Sequence, residues 1–159
     1  ICNQDNLERV MKLIAHRGLT QGPHGAENHP DLIANVLAQG YDCEIDVRLV
    51  DGRYVLGHDE PLYEVDKAFL QQPGLWIHCK NHDAMPAMSL LTVNYFWHQE
   101  DDITLTSWGY MWTYPGKPLF ARSIAVMPEW NMDLDAAARL TCLGICSDYV
   151  ARIAELRNR

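Results

Sequence analysis

The chain has 159 residues, 48% hydrophobic and 21% charged, the balance of one globular domain with its own core. Its formal net charge of −8 excludes a protein whose main task is to grip a nucleic-acid backbone, because that takes a basic face. No apolar run is long enough to span a bilayer, and the five cysteines, odd in number and without a CxxC pair, read as thiols of a reducing, cytoplasmic compartment.

Residues 1–10 are mixed and polar and precede Met11, so they read as an N-terminal extension to a single domain over residues 11–159. Leu13-Ile14-Ala15 is a short strand that ends on His16-Arg17-Gly18, and a Gly-, Pro- and His-rich loop follows to Pro30. Asp31 caps a helix over Leu32–Gln39, which Gly40 stops. From Tyr41 to Val50 the sequence alternates by twos, with Cys43, Ile45, Val47 and Leu49 on one face and Glu44, Asp46 and Arg48 on the other. Asp51-Gly52 is a hairpin turn, and Tyr54-Val55-Leu56 returns to deliver Gly57-His58-Asp59. Leu75–Lys80 is a strand, and Asp83–Val93 reads as a helix that begins near Pro86. Asn94–His98, Ile103–Ser107 and Ser123–Met127 are strands. Tyr110, Trp112 and Tyr114 alternate ahead of Pro115-Gly116, as core packing or as a loop closing over an alcohol or sugar. A helix over Leu134–Leu140 opened by Asp133, a strand over Gly144–Tyr149 and a helix over Val150–Arg157 complete the chain.

Strand, helix, strand with polar groups at the strand ends is the pattern of a parallel α/β sheet. About eight short strands can be placed but too few helices, and a full barrel takes about 200 residues or more. The expected fold is a shortened TIM-type (β/α) barrel with several helices reduced to loops.

Inside such a barrel Glu44 and Asp46 would face each other in a confined space, where like charges stay ionised only if a cation offsets them. The same alternation also suits a solvent-exposed strand face making surface ion pairs. His16 and His58 tip the balance, since both stand at strand ends, where barrel active sites lie. Two imidazoles around a carboxylate pair supply an acid and a base beside a metal, and Arg17 can neutralise a phosphate oxygen.

His16-Arg17-Gly18, Glu27-Asn28, Glu44-Ile45-Asp46-Val47, Asp51-Gly52 and Gly57-His58-Asp59, in that order and spacing, resemble the glycerophosphodiester phosphodiesterase family. The resemblance implies a TIM-type barrel, a divalent cation (magnesium or calcium), and hydrolysis of a glycerophosphodiester to glycerol phosphate and an alcohol. It implies Glu44 and Asp46 as metal ligands, His16 and His58 as the acid/base pair, and Arg17 on the phosphate. Glu27 would be a further ligand or an organiser of the site. The family's third strand usually carries a Glu and, two residues on, a Lys; here His78 stands in the Glu position and Lys80 is kept for substrate. His78 as a ligand would favour a softer ion such as manganese or zinc; in a catalytic or substrate-binding part it would leave the metal two carboxylates and water. Asp148, on the last strand, is expected near the site. Two other readings stay open: another phosphodiesterase or phospholipase-like activity on the same scaffold, and a non-catalytic protein that binds a phosphorylated small molecule.

Overall fold

The computed structural model of the protein describes residues 10–159, so the extension expected over residues 1–10 lies, but for Val10, outside the described residues. Ten strands form one curled, mixed sheet, a partial barrel with few helices. Seven of them run parallel in the order β6 (Asn94–Phe96), β5 (Leu75–Cys79), β2 (Asp42–Val50), β1 (Lys12–His16), β10 (Gly144–Ser147), β9 (Ser123–Val126) and β8 (Met111–Thr113). β3 (Arg53–Leu56) returns antiparallel along β2 and pairs with β4 (Tyr63–Val65), while β7 (Ile103–Leu105) is antiparallel to β8. No ladder joins β6 to β7 among the described residues. Instead, Ser107 N–H donates to the Tyr95 carbonyl at 2.8 Å and the Thr104 hydroxyl to the Trp97 carbonyl at 2.9 Å.

The two-residue period of each strand divides its side chains between two cores. On the outer face Ala15, Cys43, Ile45, Val47, Ile77 and Cys79 pack against Ile33 and Val36 of α1 (Pro30–Ala38) and Ala84 and Met88 of α3 (Ala84–Ser89). Ala125 and Ile145 do the same against α4 (Leu134–Ala138) and α5 (Val150–Arg157). On the inner face Ile14, Trp76, Phe96, Trp112, Ile124 and Cys146 form a second cluster. Its rings interlock, with Phe96 and Trp112 centroids 4.6 Å apart, Trp76 and Tyr110 4.9 Å, and Trp76 and Trp112 5.8 Å. Large aromatic side chains thus fill the sheet's interior below the strand ends, each burying far more apolar area than an aliphatic residue would.

Several elements differ from the sequence reading. Of the two readings of Tyr110, Trp112 and Tyr114, packing holds and the loop does not: they flank and occupy β8, and Trp112, 3% exposed, belongs to the inner core. α1 begins at Pro30, whose fixed φ suits the first helical turn, and the cap is His29, which accepts from the Asp31 N–H. Asp31 therefore sits inside the first turn. α3 stops at Ser89, with Leu90 86% exposed, so the apolar run to Val93 is not a helical stripe. β4 and the four-residue α2 (Lys67–Leu70) are too short for periodicity to reveal.

Cys43, Cys79, Cys142 and Cys146 are free thiols, as expected; Cys2 lies outside the described residues. Burial raises the pKa of all four, that of Cys79 to about 12. Because the thiolate is the reactive form, Cys43, Cys79 and Cys146 should resist a thiol-specific disulfide reagent at pH 8 until the protein is unfolded. Mass mapping of labelled peptides checks this, and rapid labelling of Cys43 or Cys146 in the native protein would contradict the packing described.

Candidate functional site

The site forms where the neighbour of β2 changes. β1 pairs with β2 as far as His16 opposite Glu44, and the Arg17 N–H then donates to the Glu44 carbonyl at 2.9 Å. β3 pairs with the later part of β2, Val47 to Val50, and the Gly57 N–H donates to the Asp46 carbonyl at 3.1 Å. The C-terminal ends of β1 and β3 therefore deliver His16 and His58 to either side of Glu44 and Asp46. On the other side of β2, β5 places His78 directly opposite Asp46.

Glu44 and Asp46 are 2% and 0% exposed, which removes the reading of a solvent-facing ion-pair surface. With His78 they offer three ligand atoms, all within 4.8 Å of one another, and this group could hold a metal ion. His78 Nδ1 lies 3.2 Å from Asp46 Oδ1 and 3.8 Å from Glu44 Oε1. The ring is stacked on Phe96 at 5.1 Å, and its Nε2 is 3.0 Å from the His98 carbonyl oxygen, to which only an N–H can donate. In neutral imidazole that bond leaves Nδ1 as a bare lone pair aimed at a carboxylate oxygen. Asp46 Oδ1 is itself buried and accepts no aligned hydrogen bond. Two lone pairs at that separation call for a cation between them, a second proton on His78 or a metal ion, and the donor set of two carboxylates and one imidazole suits a divalent metal.

The remaining contacts position these groups. Asp46 is clamped by Asn28, whose Nδ2 donates to Oδ2 at 2.9 Å and whose Oδ1 accepts from the Asp46 N–H at 2.9 Å. Arg17 Nε stands 3.1 Å from Asp46 Oδ2, and its Nη1 pairs with Glu27 at 3.2 Å. Both Arg17 and Asn28 adopt left-handed backbone (φ 52° and 61°), a sparsely populated conformation for such residues, and the Asn28 N–H donates to the Arg17 carbonyl. Burial would push the Asp46 carboxyl up, but His78, Arg17 and Asn28 together hold it far below the usual carboxylate range. Glu44 is raised instead, by burial and then by the Asp46 charge. The site concentrates negative charge that it does not neutralise fully.

Each catalytic candidate histidine has a carboxylate at Nδ1. His16 Nδ1 is 2.7 Å from Asp148 Oδ1, and His58 Nδ1 is 2.8 Å from Asp59 Oδ1. Such a partner fixes the ring so that Nε2 faces the cavity. Asp148 is in turn held by Glu129, whose Oε1 accepts from the Asp148 N–H at 3.0 Å and from the Ser147 hydroxyl at 2.7 Å. Burial alone would lower the His16 pKa, but the Asp148 hydrogen bond and the Glu44 charge outweigh it and raise it. His58 goes the other way, lowered by burial and by the charges of Arg17 and Lys80, against the pull of Asp46 and Asp59. Arg48 fixes the segment by donating to the His58 carbonyl at 2.6 Å and the Asp59 carbonyl at 3.1 Å.

Gly57 governs how His58 arrives. Its φ is +147°, and a Cβ there would collide with the Glu60 carbonyl oxygen. Gly57→Ala should therefore cost about 1–3 kcal/mol of stability, read from the urea denaturation midpoint at unchanged slope. An unshifted midpoint would mean that the turn is not held as described.

All eight residues assigned from sequence gather here. His16, Arg17, Glu27, Glu44, His58, His78 and Lys80 line one cavity of about 480 Å³, and Asp46 lies behind Glu44 and His78. Glu27 lies outside the Glu44, Asp46 and His78 group and pairs with Arg17. Arg17 faces Asp46 and Glu27 as well as the cavity. Three contributors escaped the sequence reading. Asn28 carried a signal, its place in the Glu-Asn pair; Glu129 and His98 carried none, since neither belongs to a periodic pattern or a recognisable spacing.

The fold and site define a partial α/β barrel with a buried carboxylate–imidazole cluster at its strand ends. No protein-family model matches the chain, and comparison with curated proteins and with solved structures returns no match. Among the described residues no helix is long and apolar enough to cross a membrane.

Proposed function

We propose that the protein is a metal-dependent phosphodiesterase acting on a glycerophosphodiester, on a reduced TIM-type barrel, with His16 and His58 as its acid and base. The observation that carries this reading is the convergence of two carboxylate-anchored imidazoles on a cluster of Glu44, Asp46 and His78 whose lone pairs require a cation. A divalent ion held by those three residues, magnesium, calcium or manganese, would draw charge from the phosphoryl oxygens. Arg17 and Lys80 carry the positive charge that seats the phosphate. His58, its pKa lowered, is neutral near pH 7 and accepts the proton of the attacking hydroxyl or water. His16, its pKa raised, holds a proton for the leaving oxygen.

Hydrolysis of a panel of glycerophosphodiesters, with EDTA and then with each of these ions, tests the proposal. Turnover should require the ion. It should also fall as pH drops through a limb below the ordinary imidazole value of about 6.5, because protonation of His58 removes the base. Absence of turnover with every ion, alongside tight binding of glycerol phosphate, would favour a binding protein instead.

A further inference from the structure

The cavity is larger than the chemistry at its floor needs. From His78 a run of rings climbs one wall to the rim: His98 at 6.3 Å between centroids, Tyr114 at 5.6 Å from His98, and Trp130 at 6.5 Å from Tyr114. Trp112 and Phe96, lower on the same wall, are buried, but Tyr114 is 39% and Trp130 62% exposed. Two large rings are thus left open to solvent in a cavity that Gln99 also lines. His98 Nδ1 is buried and has no hydrogen-bond partner, with the Asp101 carboxylate 3.8 Å away.

We propose that this wall is a subsite for the leaving alcohol, and that the alcohol is a neutral ring bearing several hydroxyls, a sugar or a cyclitol. The proposal rests on the phosphodiesterase reading above. Such a ring has an apolar C–H face, which Tyr114 and Trp130 can cover, and a hydroxyl rim, which His98 and Gln99 can hydrogen-bond. A quaternary ammonium group fits worse. The carboxylates that line the cavity are engaged: Glu27 with Arg17, Asp148 with His16, and Glu44 in the ligand cluster. A nucleobase fits worse too, since the Tyr114 and Trp130 planes stand at 77° and leave no parallel slot. In the reaction the P–O bond to the ring oxygen breaks and that oxygen takes a proton from an imidazolium. The oxygen of water, or first that of a neighbouring glycerol hydroxyl, ends on phosphorus.

The test compares kcat/KM for glycerol phosphate diesters of a hexose, inositol, choline and methanol, all with the same ion. The hexose or the inositol diester, whichever source is the natural one, should exceed the choline and methyl diesters by about tenfold or more, the sum expected of two ring contacts. Tyr114→Ala and Trp130→Ala should each shrink that ratio, and His98→Phe, which keeps the ring but not its nitrogens, should do so as well. Quenching of intrinsic tryptophan fluorescence by hexose 1-phosphate and inositol 1-phosphate gives a second readout that needs no turnover. Turnover without ring preference, or preference for choline, overturns the subsite and leaves the phosphodiesterase reading standing. Saturable ring binding that His98→Phe weakens, in a protein with no turnover, supports the subsite as a binding site and overturns both the catalytic reading and the leaving-alcohol role. Neither turnover nor ring binding overturns both.

Discussion

His16→Ala and His58→Ala are each expected to reduce phosphodiester turnover by about 10²-fold or more, with the fold kept. Neither imidazole belongs to the ligand cluster, and both are tied to carboxylates at their rims, so their loss removes proton transfer and leaves Glu44, Asp46 and His78 in place. The two variants should differ in a diagnostic way. A diester with a good leaving group, such as a nitrophenyl ester, needs little protonation of the departing oxygen, so it should largely rescue the variant that lost the acid. On the roles assigned above that is His16→Ala, and His58→Ala should show no such rescue. Single-turnover rates with the two kinds of diester make the comparison. Near-normal rates for both variants would sink the acid/base assignment.

The second large effect is on stability. An ion that binds the folded state alone stabilises it by about 2.7 kcal/mol at a hundred times its dissociation constant. For a domain of this size that raises the melting temperature by roughly 5–10 °C. Saturating manganese or magnesium should produce such a shift in the unmodified protein. Asp46→Asn should abolish most of it, because the amide keeps the shape but not the charge: its oxygen stays with the Asn28 donor and its N–H groups take the place of the oxygen that faces His78. Calorimetric scans of both proteins, each with EDTA and with metal, decide the matter. Equal melting temperatures with and without every ion tried would mean that the close approach of His78 to Asp46 is met by a proton and not by a metal.

The strands that carry the site were legible because their chemistry is local. The alternation through Glu44 and Asp46 predicts which faces go in and out, and the structure sets Cys43, Ile45 and Val47 against the helices with Glu44 and Asp46 inside. His78 was legible as a cavity residue for the same reason, its neighbours Ile77 and Cys79 taking the outer face. What stayed hidden depends on contacts distant in sequence. Glu129 reaches Asp148 across a crossover, and the bond between His78 and the His98 carbonyl joins β5 to the segment that follows β6, a pairing no spacing encodes. The aromatic triplet at Tyr110, Trp112 and Tyr114 was legible as packing, while the loop that glycine and proline on either side suggested did not form. Its alternation was in truth that of a three-residue strand, with Trp112 inside and Tyr114 at the cavity. The helix ends at Ser89 and leaves Leu90 exposed, a property of tertiary packing that composition does not carry.

The interlocked rings of Trp76, Phe96 and Trp112 beneath His78 make the cavity a cul-de-sac. Nothing can leave through the far end, so everything that enters must return by the way it came. Under the proposed function the phosphate of a bound diester would lie deepest, against the carboxylates, and the alcohol toward the rim. Release would then follow a fixed queue, with the alcohol first and glycerol phosphate last. Under the proposed reaction glycerol phosphate should inhibit in competition with the diester, whereas the free alcohol should inhibit without competing for the same form of the protein. The stopper that gives the partial barrel its inner core would also set the order of its traffic.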